Sequence, residues 1–392
     1  MKITKATTLV GTRLHEREDQ WITDRYRSVK ADIAVVIIET DGGLAGIGEA
    51  CAYGNPLQIA DWVEWYAPSL IGADVDDLGI VPSPTGSAIV HAVGSAHDFA
   101  VAGIDCALWD LRGKQSGVSV SRLIDAAADS SVDVYASGGV RYDWRADPRT
   151  LIDEVVGHVA AGYSAVKIRL GTYWGWDAVT PERFLRLFDD VRREVGPDLG
   201  IAVDGNSRLT RAEALTVARG LDERGALWFE EPIAKDDLDG YVELNRSVGL
   251  KITGGESFTT LEQFRPWIER GAFDIVQPDA GVCGITELLK IGRFADRAGL
   301  ELVPHSWHNG LMAMANAHAV AALPNASMLE ECMVQGPLKW SSLVGGSRVD
   351  AGRIDLGEAA GFGVALINDL ETRFPYIEGH YAVEVFRREH AA

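Results

Sequence analysis

Three short apolar runs in this chain end abruptly in a carboxylate: Ile201-Ala-Val-Asp204, Leu227-Trp-Phe-Glu230 and Lys251-Ile-Thr-Gly-Gly-Glu256. The steps are equal, with 26 residues from Asp204 to Glu230 and 26 from Glu230 to Glu256. A single acidic residue at a strand end commonly caps a helix or stays solvated, whereas three at one spacing point to a shared task. Carboxylates brought together repel unless a cation lies among them. A hard divalent ion with oxygen ligands, and positions left for water or substrate, meets that need. Mg²⁺ suits it better than Zn²⁺, which prefers nitrogen and sulfur.

A step of this size accommodates one strand and one helix. Thr210 with Glu213, and Thr259 with Glu262, each read as a capping box opening the helix that follows a carboxylate. The same alternation continues on both sides. Val132 to Ser137, Ala165 to Leu170, the three carboxylate-ended strands, Phe273 to Gln277, Leu300 to Pro304 and Ala326 to Leu329 make eight strands. Helical or loop sequence separates them, as in the helix opened by Thr180-Pro181 and closed by Gly196-Pro197. The expected architecture is α/β, a closed (β/α) barrel over residues 131–345 with its polar residues at one mouth. At 392 residues the chain also has room for a second domain. Residues 1–130 predict an α+β unit: an antiparallel sheet within residues 3–50, then helices over 58–70 and 88–112. The polar stretch from Arg13 to Lys30, which carries Trp21 and Tyr26, suits either a mobile covering loop or an ordinary surface loop. Residues 346–392 are Gly-rich at first and then alternate as a sheet would, a segment suited to returning to the first domain.

The barrel mouth gathers further chemistry: Lys167 and Arg169 from the second strand, Asp279 after the sixth, His305 after the seventh and Glu330 after the eighth. Strands two and seven stand on roughly opposite sides of an eight-stranded ring. A substrate at the carboxylates would therefore meet a cationic pair on one flank and an imidazole on the other. Asp279, one strand from His305, is placed to hold that ring in one tautomer. His305 is preferred to His308 because it directly ends the apolar run. The set suits removal of a proton next to a carboxylate, where the dianionic ene-diolate needs concentrated positive charge. Lys167 and Arg169 either supply part of that charge or simply pair with the metal carboxylates. Asn206 is a further candidate substrate contact, and Trp174 and Trp176, in an insertion after the second strand, either line the pocket or pack their own loop.

Asp204-Gly-Asn206, Trp-Phe-Glu230-Glu231-Pro232, Gly255-Glu256, Lys167-x-Arg169 and the Asp279 with His305 dyad together resemble the enolase superfamily, mandelate racemase subgroup. Ala102-Gly-Ile-Asp-Cys-Ala-Leu-Trp-Asp-Leu-Arg112 is similar to the helix preceding the barrel in that family. The resemblance extends over nearly the whole chain. It implies a modified TIM barrel with an N-terminal α+β capping domain completed by C-terminal residues. It also implies Mg²⁺ on Asp204, Glu230 and Glu256, an acid or base function for the dyad, and Glu330 as a hydrogen-bonding partner of the substrate carboxylate. The Arg13 to Lys30 segment would close over the substrate, and the assembly would be a symmetrical homo-oligomer. One position departs from the pattern: where the family commonly has a second lysine that acts as a base, this chain has Arg169, which keeps its proton at physiological pH. Dehydration of a sugar acid by one histidine that serves twice is therefore expected ahead of racemisation, epimerisation or cycloisomerisation. A non-catalytic binding descendant is the alternative from another class.

The composition agrees. The net charge of −20, without a basic cluster along the row, argues against nucleic acid and anionic membrane surfaces as partners, and the small carboxylate expected as ligand would have to be attracted locally by the metal and a few cations. Cys51, Cys106, Cys283 and Cys332 lie far apart without a CxxC pair, which indicates packing rather than zinc or disulfides. No signal peptide or membrane-length apolar run is read, so the expected location is the cytoplasm.

Overall fold

The computed structural model describes residues 1–384 apart from 18–19, 21–22, 24–25, 53–55, 78–80, 82–94, 141, 143, 145–146, 171–178, 335 and 347. The chain opens with β1 (Ile3–Leu14), β2 (Tyr26–Ser28), β3 (Lys30–Thr40) and β4 (Ala45–Ala50), followed by α1 (Pro56–Leu70), α2 (Ala96–Ser116) and α3 (Val120–Ile124). β1, β3 and β4 form an antiparallel sheet in that order. The turn at residues 41–43 is the hairpin expected from Asp-Gly-Gly. α2 lies tightly on β4 because Gly46 and Gly48 present no side chain there. A Cβ at either would overlap the helix backbone at Ala107 or Gly103. The part of the expected second helix before residue 95 falls outside the described residues, and Ser95 caps the visible helix by accepting from Asp98 N.

The barrel follows as β5 (Ser131–Ser137), α4 (Thr150–Ala160), β6 (Ala165–Arg169), α5 (Pro181–Val195), β7 (Gly200–Asp204), α6 (Arg211–Glu223), β8 (Trp228–Glu230) and α7 (Leu238–Ser247). It continues with β9 (Lys251–Gly254), α8 (Leu261–Glu269), β10 (Ile275–Val276), α9 (Ala280–Arg297), β11 (Glu301–Leu302), α10 (Gly310–Ala322) and β12 (Leu329–Cys332). The strands run parallel in the order β12-β5-β6-β7-β8-β9-β10-β11, and a parallel bridge from Leu302 to Ala326 closes the ring. The capping box at Thr210 and Glu213 forms as read. The next helix start is shifted by one residue. Thr260 rather than Thr259 caps α8, accepting from Gln263 N, and Glu262 pairs with Arg265 instead. The last strand also differs. It was expected to end at Leu329, but Glu330 and Glu331 continue it, because Lys167 and Ser306 N satisfy the first while Tyr163 and Lys339 satisfy the second.

Inside the barrel, Tyr135, Ala165, Ala202, Trp228, Ile275 and Val303 pack as one buried layer. Side chains two residues further along a strand point the same way. That rule carries Lys167, Asp204, Glu230, Gln277 and His305 to the mouth, directly above the packed layer.

After the barrel come α11 (Pro337–Ser341), β13 (Leu343–Gly345), β14 (Arg353–Asp355), β15 (Val364–Leu366), α12 (Leu370–Arg373) and β16 (Ala382–Glu384). This stretch serves both parts of the molecule. β14 pairs with the start of β5, whereas β16 pairs with β2. The fold is thus a modified (β/α) barrel with an α+β cap that C-terminal residues complete. Among the described residues no helix is long and apolar enough to cross a membrane, and all four cysteines are buried and free.

His318 lies buried where α10 meets α3, and its Nδ1 accepts from Ser121 N at 3.2 Å. Burial lowers its pKa to about 4 from the usual 6.5. The folded state therefore disfavours the proton that the unfolded chain accepts. The stability tied to the neutral ring is complete above about pH 6.5 and is lost as pH falls toward about 4, by about 2–3 kcal/mol. His318→Gln keeps an acceptor but cannot titrate. Urea unfolding at about pH 7.5 and about pH 4.5 should show wild type losing that much more stability than the variant.

Candidate active site

Each of the three equally spaced carboxylates has a cationic partner. Arg169 Nη1 lies 2.8 Å from Asp204 Oδ2, Lys167 Nζ 2.6 Å from Glu230 Oε1, and Lys235 Nζ 2.8 Å from Glu256 Oε1. Lys167 also reaches Glu330 at 2.7 Å, and Lys235 reaches Glu231 at 3.0 Å. Asp204 and Glu230 are register partners on adjacent strands, so their side chains emerge side by side. Around them the backbone is strained. Asn206, Ser207 and Glu231 adopt positive φ of 45°, 58° and 38°, which is uncommon away from glycine and clusters at functional sites.

Counted together, these ion pairs set Asp204, Glu230, Glu231, Glu256 and Glu330 against Lys167, Arg169 and Lys235. Two negative charges are left over. The electrostatics register the excess. Burial first, then the facing carboxylates Asp204, Glu330 and Glu256, push the Glu230 pKa up against the pull of Lys167. Burial and Glu256 likewise raise Glu231. A buried all-oxygen cluster with two surplus negative charges fits a hard divalent cation. The three expected ligands nonetheless lean toward their separate cations. Among the described residues, the trio whose candidate ligand atoms all lie within 4.8 Å of one another is Asp279, His305 and His308.

Lys167 is fully buried. Burial alone would lower its pKa, but Glu230 and Glu330 outweigh that and hold it well above the usual lysine value. Glu330 accepts from Ser306 N at 2.8 Å, and although burial opposes it, Lys167 and His305 bring its pKa down to about 2. Ionised Glu330 is an acceptor only. Arg169 also donates to Asn206 Oδ1, and its guanidinium lies 4.5 Å from the Trp307 ring centroid.

On the opposite flank, His305 Nδ1 donates to Asp279 Oδ2 at 2.7 Å, which leaves Nε2 directed at Glu256 Oε2, 3.6 Å away. Burial would depress this imidazole, but Glu256, Glu330 and Asp279 together raise it to about 10. His308 stands 3.6 Å from the same Asp279 oxygen, and burial lowers it to about 4. Asn316, fully buried in α10, donates to Asp279 Oδ1 at 3.1 Å and to the His305 carbonyl at 3.3 Å, tying the dyad to the helix behind it.

Lys167, Arg169, Asp204, Asn206, Glu230, Glu256, Asp279, His305 and Glu330 thus occupy one mouth of the barrel. Trp21, Trp174 and Trp176 lie outside the described residues. The residues not anticipated are Lys235, Glu231, Gln277 and Asn316. Gln277 Nε2 donates to Glu230 Oε2 at 2.7 Å. Lys235 follows Glu231 by four residues, and that oppositely charged pair directly after a strand end was the available signal.

Residues 150–370 match the family model described as enolase C-terminal domain-like. Residues 15–125 match that of the mandelate racemase / muconate lactonizing enzyme N-terminal domain. The chain is 29% identical over 379 residues to D-galactarolactone cycloisomerase from Agrobacterium fabrum, covering 94% of this chain and 98% of the relative. It is 30% identical over 338 residues to arabinonate dehydratase from Saccharolobus solfataricus, covering 86% and 88%. Among solved structures, a member of the enolase superfamily from Polaromonas sp. JS666 superposes with a TM-score of 0.84 at 28% identity, covering 97% of this chain and 99% of that one. Two matched domains and likeness along most of the length lead to one conclusion: the chain belongs to the enolase superfamily, in its mandelate racemase subgroup.

Proposed function

We propose that the chain is a Mg²⁺-dependent acid-sugar dehydratase that removes the proton next to a carboxylate and expels a β-hydroxyl. The observation that carries this reading is the Asp279–His305 dyad facing the carboxylate cluster with Nε2 outermost. Asp204, Glu230 and Glu256 would hold the metal, the ion that superfamily members use. When bound, it supplies positive charge that acidifies the carbon beside the substrate carboxylate. Glu256 heads the charges that raise His305, and a cation held by Glu256 would offset that charge, so that His305 Nε2, as neutral imidazole, takes the proton from that carbon while the C–H electrons pass into the ene-diolate. Lys167 and Arg169, both held protonated, lend it fixed positive charge. Collapse of the ene-diolate breaks the C–O bond at the β-carbon. The imidazolium returns its proton to the leaving oxygen, which departs as water, and the enol tautomerises to a 2-keto-3-deoxy acid.

Racemisation is disfavoured because it needs a base on each face of the carbon. Lys167, clamped between Glu230 and Glu330, and Arg169, on Asp204, both hold their protons. Cycloisomerisation is the second reading, and a relative of that name matches over nearly the whole chain. If the leaving oxygen is tethered in a ring, the same elimination yields an isomer instead of water. Incubation with aldonic and aldaric acids and their lactones, with semicarbazide detection of 2-keto-3-deoxy products, separates these outcomes. Keto acid formed from open-chain acids supports dehydration. Keto acid from lactones alone indicates the cycloisomerase. Exchange of the α-proton with no keto product would overturn both.

A further inference from the structure

The helix behind the catalytic dyad does not cap itself. α10 begins after Asn309, whose side chain would ordinarily accept from an N–H of the first turn, yet that side chain makes no capping bond. Asn309 Nδ2 turns away and donates to Glu49 Oε1 at 2.8 Å and to Asp32 O at 3.3 Å. The Met312 N–H, too early in the helix to find a partner within it, donates to Glu49 Oε2 at 3.1 Å. Glu49 is buried and belongs to β4 of the cap. A carboxylate from one domain thus stands in for the missing N-cap of a helix in the other, at the helix end that favours negative charge.

What α10 holds makes this placement consequential. Asn316 lies four residues beyond Met312, on the same helix face. Its Nδ2 is the donor to Asp279 Oδ1 and to His305 O, and its Oδ1 accepts from Ala280 N at 2.9 Å. The end of β4 grips the neighbouring helix as well: Cys51 N donates to Gly281 O at 2.9 Å, and Gly281 N donates to Asp279 Oδ1 at 2.9 Å. The starts of α9 and α10 touch, since a Cβ at Gly281 would overlap the Met312 side chain. One strand end of the cap therefore holds both helices that support the dyad. Stability does not account for the carboxylate. Burial pushes Glu49 up to about 7 from the usual 4.5, against the pull of Asn309 and Met312 and with Asp279 adding to the rise. Its contribution to stability therefore falls as pH rises from about 4.5 through about 7, and the ionised form costs the fold something above that.

We propose that Glu49 is a positioning residue for the reaction: by capping α10 from the other domain, it makes the docking of the cap set the place of Asn316, and through Asn316 that of Asp279 and His305. This rests on the reading of His305 as the base.

The test is Glu49→Gln, whose one carbonyl oxygen can serve only one of the donors Asn309 Nδ2 and Met312 N, assayed with Mg²⁺ at about pH 8. kcat should fall about tenfold or more with KM little changed, because a small displacement of a reacting group suffices for a loss of that order. The Tm should match or exceed that of wild type, since an ionised buried carboxylate has been removed. A merely structural role would lower it. Trp109→Phe removes a different tie between cap and barrel, Trp109 Nε1 to Thr286 Oγ1 at 2.9 Å, and should leave kcat unchanged. The dyad is also observable without turnover. The downfield proton resonance of His305 Nδ1, identified by its absence in His305→Asn, should shift or broaden in Glu49→Gln and stay in place in Trp109→Phe. Wild-type kcat with an unmoved resonance in Glu49→Gln would overturn the proposal, as would a loss of kcat that comes with a lower Tm and is equalled by Trp109→Phe. If wild type turns over no acid sugar, the resonance decides alone: its displacement in Glu49→Gln upholds the hold of Glu49 on the dyad while the dehydratase reading falls.

Discussion

His305→Asn is expected to lower kcat/KM by about 10³-fold or more, because one imidazole is asked both to remove the α-proton and to protonate the departing oxygen. Asparagine approximates the ring's first atoms and keeps a polar group near Asp279, but it can neither accept nor deliver that proton. The fold should survive, since the loss removes one member of a dyad that Asn316 holds independently through Asp279 Oδ1. Asp279→Asn should produce a smaller loss in the same direction: the imidazole remains, but the acceptor that selects its tautomer is weakened. Steady-state kinetics with each variant, alongside thermal melting to verify folding, checks both expectations. A kcat/KM within about tenfold of wild type for His305→Asn would remove it from the chemistry.

The second large effect concerns the metal. Dialysis against a chelator should abolish turnover, and Mg²⁺ should restore it. Binding to the folded state alone also raises stability, by about 2.7 kcal/mol at a hundred times the dissociation constant, so Mg²⁺ should raise the Tm of wild type. Glu230→Gln removes one of the carboxylates behind the two surplus negative charges and retains a polar side chain beside Lys167 and Gln277. Its Mg²⁺-free melting temperature should equal or exceed that of wild type, because repulsion with Asp204, Glu256 and Glu330 is relieved. Its response to Mg²⁺ should be largely lost. Full turnover after exhaustive chelation, or an unchanged Mg²⁺ response in Glu230→Gln, would break the assignment of the cluster.

Much of this arrangement was legible because a parallel barrel converts sequence position into spatial position with few rules. The 26-residue spacing marks successive strand ends, and alternation places Lys167, Asp204, Glu230 and His305 above the packed layer of Ala165, Ala202, Trp228 and Val303. Other residues escaped for physical reasons. Lys235 acts through the reach of a long side chain from a loop, which no strand or helix periodicity records. Gln277 is uncharged and closes an apolar run, so nothing marked it as a partner of Glu230. Asn316 sits in an Ala- and Met-rich helix, where its burial was the only signal. The cap at Thr260 rather than Thr259 was a choice between two identical side chains. The extension of the last strand through Glu330 and Glu331 depended on partners contributed by distant segments.

The central claim is that His305 removes the proton next to the substrate carboxylate. Proton NMR in D₂O with Mg²⁺ follows that hydrogen directly in wild type and in His305→Asn, given the same acid sugar. The account predicts that wild type consumes the α-proton signal as keto acid accumulates, while the variant preserves it over the same period. Loss of the α-proton at the wild-type rate in His305→Asn would contradict it and move the base elsewhere in the barrel mouth.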